Sequence, residues 1–258
     1  MDDREVKEFA KEALRHFGLQ VEDIPPQPGR KTPDLLGRFA EGETFLFEVK
    51  AKRDDPDQVE EEERALDQGE AYSRSIPTGS RNTLSGIISD GVEQLVSYLE
   101  VGDAFRLLWL QCEGREAADH RRRFQSTLFG IQEIIDMDDA THDSRYCYYF
   151  GNSEFFRHRE TLDGAIIFAN DEIQLCVNTL SPRVEGFRRS KLVQVLAAGL
   201  CDPDALEARG EGYIVDGDID RRDKNLVIGH LAAKYNRPRL IFIDMKHHTV
   251  KMRVPRSE

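Results

Sequence analysis

The sequence predicts an α/β fold in which one central mixed sheet is flanked by helices. Three observations carry that expectation. Apolar residues recur at helical spacing over residues 3–17, apolar and polar residues alternate over residues 44–51, and residues 105–112 form an apolar run of strand length. In chain order the first 112 residues read helix, strand, strand, strand, helix, strand, the kind of alternation from which α/β sheets are built.

In the first helix Val6, Phe9, Ala10, Ala13, Leu14 and Phe17 fall on one face, and Gly18 stands where a C-terminal cap belongs. Residues 19–24 read as a short strand stopped by Pro25-Pro26, and 27–33 as a loop. Residues 34–40 and 44–51 form a strand pair joined through Glu41-Gly42-Glu43. In the second strand Phe45, Phe47 and Val49 alternate with Leu46, Glu48 and Lys50, which puts Glu48 and Lys50 on the same face. An insertion at 53–85 follows: 53–72 is acidic, read as a solvated helix or a mobile segment, and 73–85 is rich in loop formers. Residues 86–98 resume helical periodicity.

Beyond a boundary placed near residue 115 the pattern is less regular, and 116–258 is expected to be an α+β extension. Residues 124–137 and 165–178 look strand-rich, the latter with Asn170-Asp171 as a hairpin turn. Residues 187–200 read as a helix closed by Gly199, 226–235 as another, and 240–244 and 250–254 as strands.

Composition excludes several classes. No apolar run approaches the roughly 18 to 20 residues that cross a bilayer, and the charged start Met1-Asp2-Asp3-Arg4-Glu5 is unlike a signal peptide. Cys112, Cys147, Cys176 and Cys201 form no CxxC pair, so neither a zinc site nor a disulfide framework is expected. The expectation is a cytoplasmic protein with no membrane partner. A net charge of −12 argues against a nucleic-acid packaging protein. The acid is concentrated, however. Residues 54–70 carry nine carboxylates opposed by Arg64 alone, whereas 181–258 carry 15 Lys+Arg against 11 Asp+Glu. An enzyme whose contacts are confined to one cleft tolerates such a distribution. No P-loop, GxGxxG or GxSxG is present, which argues against ATP-driven, dehydrogenase and serine-hydrolase chemistry in this chain.

Pro33-Asp34, thirteen intervening residues and Glu48-Val49-Lys50 carry the chemistry. An Asp opening one strand and a Glu on its neighbour bring two hard oxygen ligands together, as Mg²⁺ or Mn²⁺ prefers, and the Val49 carbonyl is a third candidate ligand. Lys50, facing the same way as Glu48, is placed to serve an attacking water or developing phosphoryl charge. These residues, the preceding helix ending at Gly18 and the later helix bearing Gln94 and Tyr98 resemble the PD-(D/E)XK phosphodiesterase superfamily over about residues 3–112. That superfamily includes many restriction endonucleases and archaeal Holliday-junction resolvases. The resemblance implies a restriction-endonuclease-like core at 1–115, with Asp34 and Glu48 as metal ligands and Lys50 assisting the water. It further implies a first-helix glutamate facing the metal, for which Glu8 is favoured over Glu5 and Glu12, and support from Gln94 and Tyr98. DNA is then the favoured partner, in prokaryotic defence or repair, with a homodimer or partner protein also open. A catalytically silent nuclease-fold module that binds nucleic acid or a protein is one alternative, and an acidic interaction protein whose hairpin merely mimics the motif is another.

Other constellations carry less. The exposed basic residues Lys52, Arg53, Arg74 and Arg81 are candidate phosphate contacts. Asp216-Gly217-Asp218-Ile219-Asp220 resembles the start of a calcium loop but has Arg221 and Val227 where Gly and Glu belong. Asp163 with Glu172 and Gln174 is a faint second acidic set, and His247-His248 lacks a spaced partner. Tyr146, Tyr148, Tyr149, Phe150, Phe155 and Phe156 with nearby arginines are read as packing rather than base stacking.

Overall fold

A computed structural model describes residues 2–77, 82–243 and 248–255. The elements in chain order are α1 (Asp3–His16), β1 (Gln20–Asp23), β2 (Leu35–Arg38), β3 (Thr44–Lys52), α2 (Pro56–Asp67), β4 (Tyr72–Pro77), α3 (Asn82–Ser97) and β5 (Phe105–Cys112). There follow α4 (Ala117–Phe129), β6 (Gln132–Asp136), β7 (Ser144–Tyr148), α5 (Glu154–Arg157), β8 (Gly164–Ala169), β9 (Glu172–Val177), α6 (Val184–Arg189) and α7 (Lys191–Val195). The chain continues through β10 (Leu200–Cys201), α8 (Pro203–Ala208), β11 (Gly212–Ile214), α9 (Lys224–Tyr235), β12 (Leu240–Phe242) and β13 (His248–Arg253).

Among the described residues the largest sheet has seven strands in the order β1-β2-β3-β5-β8-β9-β10. It is mixed: β3, β5 and β8 run parallel, while β1/β2, β2/β3 and β8/β9 pair antiparallel. The sheet crosses the boundary expected near residue 115, because β8 docks directly on β5. A second sheet, β11-β7-β6-β12, lies wholly within 116–258.

Both faces of the large sheet are covered. Ala10 and Leu14 of α1 bury against Phe45, Phe47, Trp109 and Ile166 on one face. Ile88, Val92 and Leu95 of α3 pack with Leu46, Leu108 and Leu110 on the other, in a core continuous with the second sheet. Burying each such side chain contributes about 1.5–3 kcal/mol, so β3 is clamped from both sides. The end of α1 follows its sequence signal: Gly18 sits at φ 93°, its N–H reaches the Arg15 carbonyl at 2.9 Å, and the Leu19 N–H reaches that of Leu14 at 3.2 Å. This is the paired bonding by which a left-handed glycine closes a helix. Asn170 and Asp171 both have positive φ, the conformation of a two-residue hairpin turn.

Three expectations are corrected. Residues 124–129, expected to be strand, belong to helix α4, and only 132–136 of the stretch 124–137 is β6. Residues 73–77, read as loop, form strand β4 with Tyr72 because they pair with β13 from the end of the chain. The helix expected over 187–200 is broken at Ser190, whose extended backbone ends α6 and whose hydroxyl accepts from Val193 N to start α7. The acidic stretch does fold, as α2 capped by Asp55.

Candidate metal centre

The register of β2 on β3 places Leu35 opposite Phe47 and Leu36 opposite Leu46. One step further along, Asp34 meets the Glu48 end of β3, and Asp34 Oδ2 accepts from Val49 N at 3.0 Å. Alternation along β3 sends Phe45, Phe47 and Val49 toward α1 and leaves Glu48 and Lys50 facing α3. Gly91 of α3 makes this closeness possible. A Cβ there would meet Leu108 Cδ2 at 2.6 Å, with Glu48 Cγ and Lys50 Cε only 3.4 and 3.5 Å away.

The result is a solvent-open pocket of about 410 Å³ in which Asp34, Glu48, Val49, Lys50 and Gln94 converge. Glu48 is 2% exposed. Its Oε1 takes the Lys50 ammonium at 2.7 Å and a hydrogen bond donated by Gln94 Nε2. Its Oε2 has no hydrogen-bond partner. Burial, and then the Asp34 charge, push the Glu48 carboxyl up to about 7 against the opposing pull of Lys50. A buried carboxylate left half-satisfied beside a second carboxylate is an expensive arrangement unless a cation completes it. The oxygen-only donor set suits Mg²⁺ or Mn²⁺ and not a thiolate-seeking metal, so the residues present fit such an ion.

Glu8 stands apart from this pocket. It is half exposed and lies 3.8 Å from Lys11, while the face of α1 turned to the pocket carries Asp3, Val6 and Lys7. Glu5 is engaged with Asp2 in the helix cap. Tyr98 also turns away, donating to Glu100 at 2.8 Å. Sequence reading missed Asp3, Lys7 and Asp90, which line the pocket. The available signals were the i, i+3, i+4 spacing of Asp3, Val6 and Lys7, and Asp90 one turn before Gln94.

Of the candidate phosphate contacts, two are paired with acids, and Lys52 does not line the pocket. Arg53 bonds Asp3 and Glu113, Arg74 pairs with Glu116, and Arg81 lies outside the described residues. Asp163 is buried against Ser181 and Arg183, and Glu172 pairs with Arg121. Asp216 pairs with His230 and Lys234, whereas His247 falls outside the described residues. All four cysteines are free and buried. Tyr149, Phe150 and Phe155 are core, and Phe156 is covered by Arg159 and Arg221.

Asp54, Glu116 and His120 bring ligand-type atoms within 4.8 Å of one another. Their partners explain the cluster without an ion. Asp54 accepts from Arg115 N and Glu116 N at 2.6 and 3.2 Å, so it caps α4, and Arg74 and Arg123 neutralise Glu116. Burial, and then Arg123, lower the His120 imidazole to about 4. The cavity beside it holds about 10 Å³, room for about one water.

No family model, curated protein or solved structure matches this chain. Among the described residues no helix is long and apolar enough to cross a membrane.

Proposed function

We propose that this protein is a nuclease that hydrolyses nucleic-acid phosphodiester bonds with Mg²⁺ or Mn²⁺. One observation carries the reading: Glu48 is buried with one oxygen unpartnered, beside Asp34 and on the same strand face as Lys50. Asp34 and Glu48 would hold the ion, with Val49 at the site through its peptide. The ion supplies Lewis acidity at the phosphoryl group and lowers the pKa of a water. Gln94, bonded to Glu48 Oε1, would hold the carboxylate in place as a ligand. Lys50 lines the pocket with its ammonium on Glu48 Oε1, from where it would orient the attacking water and offset charge developing on the phosphate. The acidic α2 does not oppose substrate entry, since none of residues 54–70 lines the pocket. DNA is the favoured substrate on the resemblance to PD-(D/E)XK enzymes, and a role in prokaryotic defence or repair follows from the same resemblance.

A specific feature also favours the silent-module alternative. Each carboxylate already has a lysine near it, Lys7 at Asp34 and Lys50 at Glu48. Cleavage of labelled single- and double-stranded DNA and RNA with Mg²⁺, Mn²⁺ or EDTA separates the two. The expected result is metal-dependent cutting that is lost in folded Asp34→Ala and Lys50→Ala proteins. A wild type that binds Mn²⁺ or nucleic acid but cuts nothing decides for the module.

A further inference from the structure

Lys7 and Lys50 are the two cations lining the pocket among the described residues, set against four carboxylates, Asp3, Asp34, Glu48 and Asp90. Lys50 is committed to Glu48 at 2.7 Å. Lys7 is not committed. Its ammonium, carried by α1, stands 3.4 Å from both Asp34 Oδ1 and Asp23 Oδ1. Both separations exceed the roughly 2.7–2.9 Å of a settled charge-assisted bond. Asp23 has a second partner besides Lys7, because Lys11 also donates to it and heads the causes that lower its carboxyl.

We propose that Lys7 binds the substrate phosphate, and that between Asp34 and Asp23 it rests in a parking position. The inference depends on the nuclease reading of the same pocket. Once a dication neutralises Asp34, the attraction holding Lys7 there is replaced by repulsion from the ion. A quarter-exposed ammonium on a four-carbon stem, rooted in a helix that packs on the central sheet, then faces the pocket with no obligatory counter-ion. A phosphodiester is the anion that such a pocket lacks, and lysine meets phosphate as a mobile point charge. Asp23 remains as a weak tether that keeps the ammonium at the rim.

Metal and substrate should therefore respond to Lys7 with opposite signs. In Lys7→Gln, which removes the charge with a somewhat shorter side chain that suits a helix, Mn²⁺ affinity measured by paramagnetic resonance should equal or exceed that of wild type. The KM for labelled DNA at saturating Mn²⁺ should rise about tenfold, the scale of one lost charged hydrogen bond, with a smaller change in kcat. Lys7→Arg, which restores the charge, should recover much of the KM. A KM unchanged in Lys7→Gln while wild type binds Mn²⁺ and cuts DNA would overturn the role of Lys7 alone. Weakened Mn²⁺ binding in Lys7→Gln would also overturn it, showing that Lys7 merely holds Asp34 in place. A wild type that neither binds Mn²⁺ nor cuts would overturn both this role and the nuclease reading.

Discussion

Replacing Glu48 by glutamine should stabilise the protein at alkaline pH and remove its metal response. The Glu48 carboxyl titrates at about 7 in the fold, against 4.5 for an unstrained glutamate. An acid raised in the folded state favours folding in its protonated form, so that contribution is fully present below pH 4.5 and is lost as pH climbs through 7. The difference of 2.5 pH units is about 3 kcal/mol of folding free energy, at 1.36 kcal/mol per unit. Because Glu48 is 2% exposed, solvent screening takes little of it away. Glutamine keeps the shape and the oxygen that accepts from Gln94, without the ionisation. Denaturant unfolding in EDTA should therefore show Glu48→Gln and wild type alike near pH 4, diverging to about 3 kcal/mol in favour of the variant at pH 8. For a chain of this size that corresponds to roughly 6–12 °C in Tm. Saturating Mn²⁺ should then stabilise wild type by about 2.7 kcal/mol at one hundred times its Kd and leave the variant unmoved. A stability difference that does not change between pH 4 and pH 8, or a variant less stable at pH 8, would refute the buried-acid reasoning.

Two further predictions test the frame around the site. Gly91→Ala gains about 1 kcal/mol of helix propensity but forces a methyl against Leu108, which overpacking data put at about 1–3 kcal/mol; the denaturant midpoint should fall and Mn²⁺ affinity should drop severalfold as α3 is displaced from Glu48 and Lys50. Unchanged Mn²⁺ binding would show that the helix accommodates the methyl without moving the site. Asp54→Ala strips the cap from α4 and leaves two backbone amides and His120 without that carboxylate, which should cost about 2–3 kcal/mol with Mn²⁺ stoichiometry unaltered. A lost Mn²⁺ equivalent would mean that the cluster around Asp54 is itself a metal site.

The elements that build the pocket were legible because their signals are local. The α1 periodicity ends at a glycine, β3 alternates, and β5 is a single apolar run, so each announces itself within a dozen residues. Asp34 and Glu48 follow because a hairpin register joins positions whose numbers have a constant sum. The α4 segment failed for the opposite reason. Asp119, His120 and Arg123 are buried polar residues on its inner face, and their partners arrive from Lys251, Asp54 and Glu116. Without those partners the apolar face reads too thinly for a helix. Strand β4 exists only through β13, at the far end of the chain, so no window around residue 75 reveals it. Glu8, favoured over Glu5 and Glu12, lies a rotation of about 100° around α1, one residue's worth, from the Lys7 that lines the pocket. Glutamate was favoured by resemblance, whereas the packing of Val6, Ala10 and Leu14 sets which face turns to the pocket.

Net charge misleads for a related reason. A total of −12 describes the field far from the molecule, and at ordinary salt that field is screened within about 10 Å. At closer range the acidic block is spent on structure: Glu62 and Glu63 pair with Arg115, Glu62 also with Arg253, and Asp54 caps α4. The same pairings consume basic residues that might otherwise have marked a phosphate-binding surface. The charge that matters to a substrate is then that of the pocket, where two ammoniums face four carboxylates. Arg53 pairs with Asp3 and the Glu48 carboxyl is raised to about 7, so the pocket is less negative than that count, and a dication at Asp34 and Glu48 would turn it further toward phosphate. On the nuclease reading, such a pocket would take the polyanion with the metal already bound.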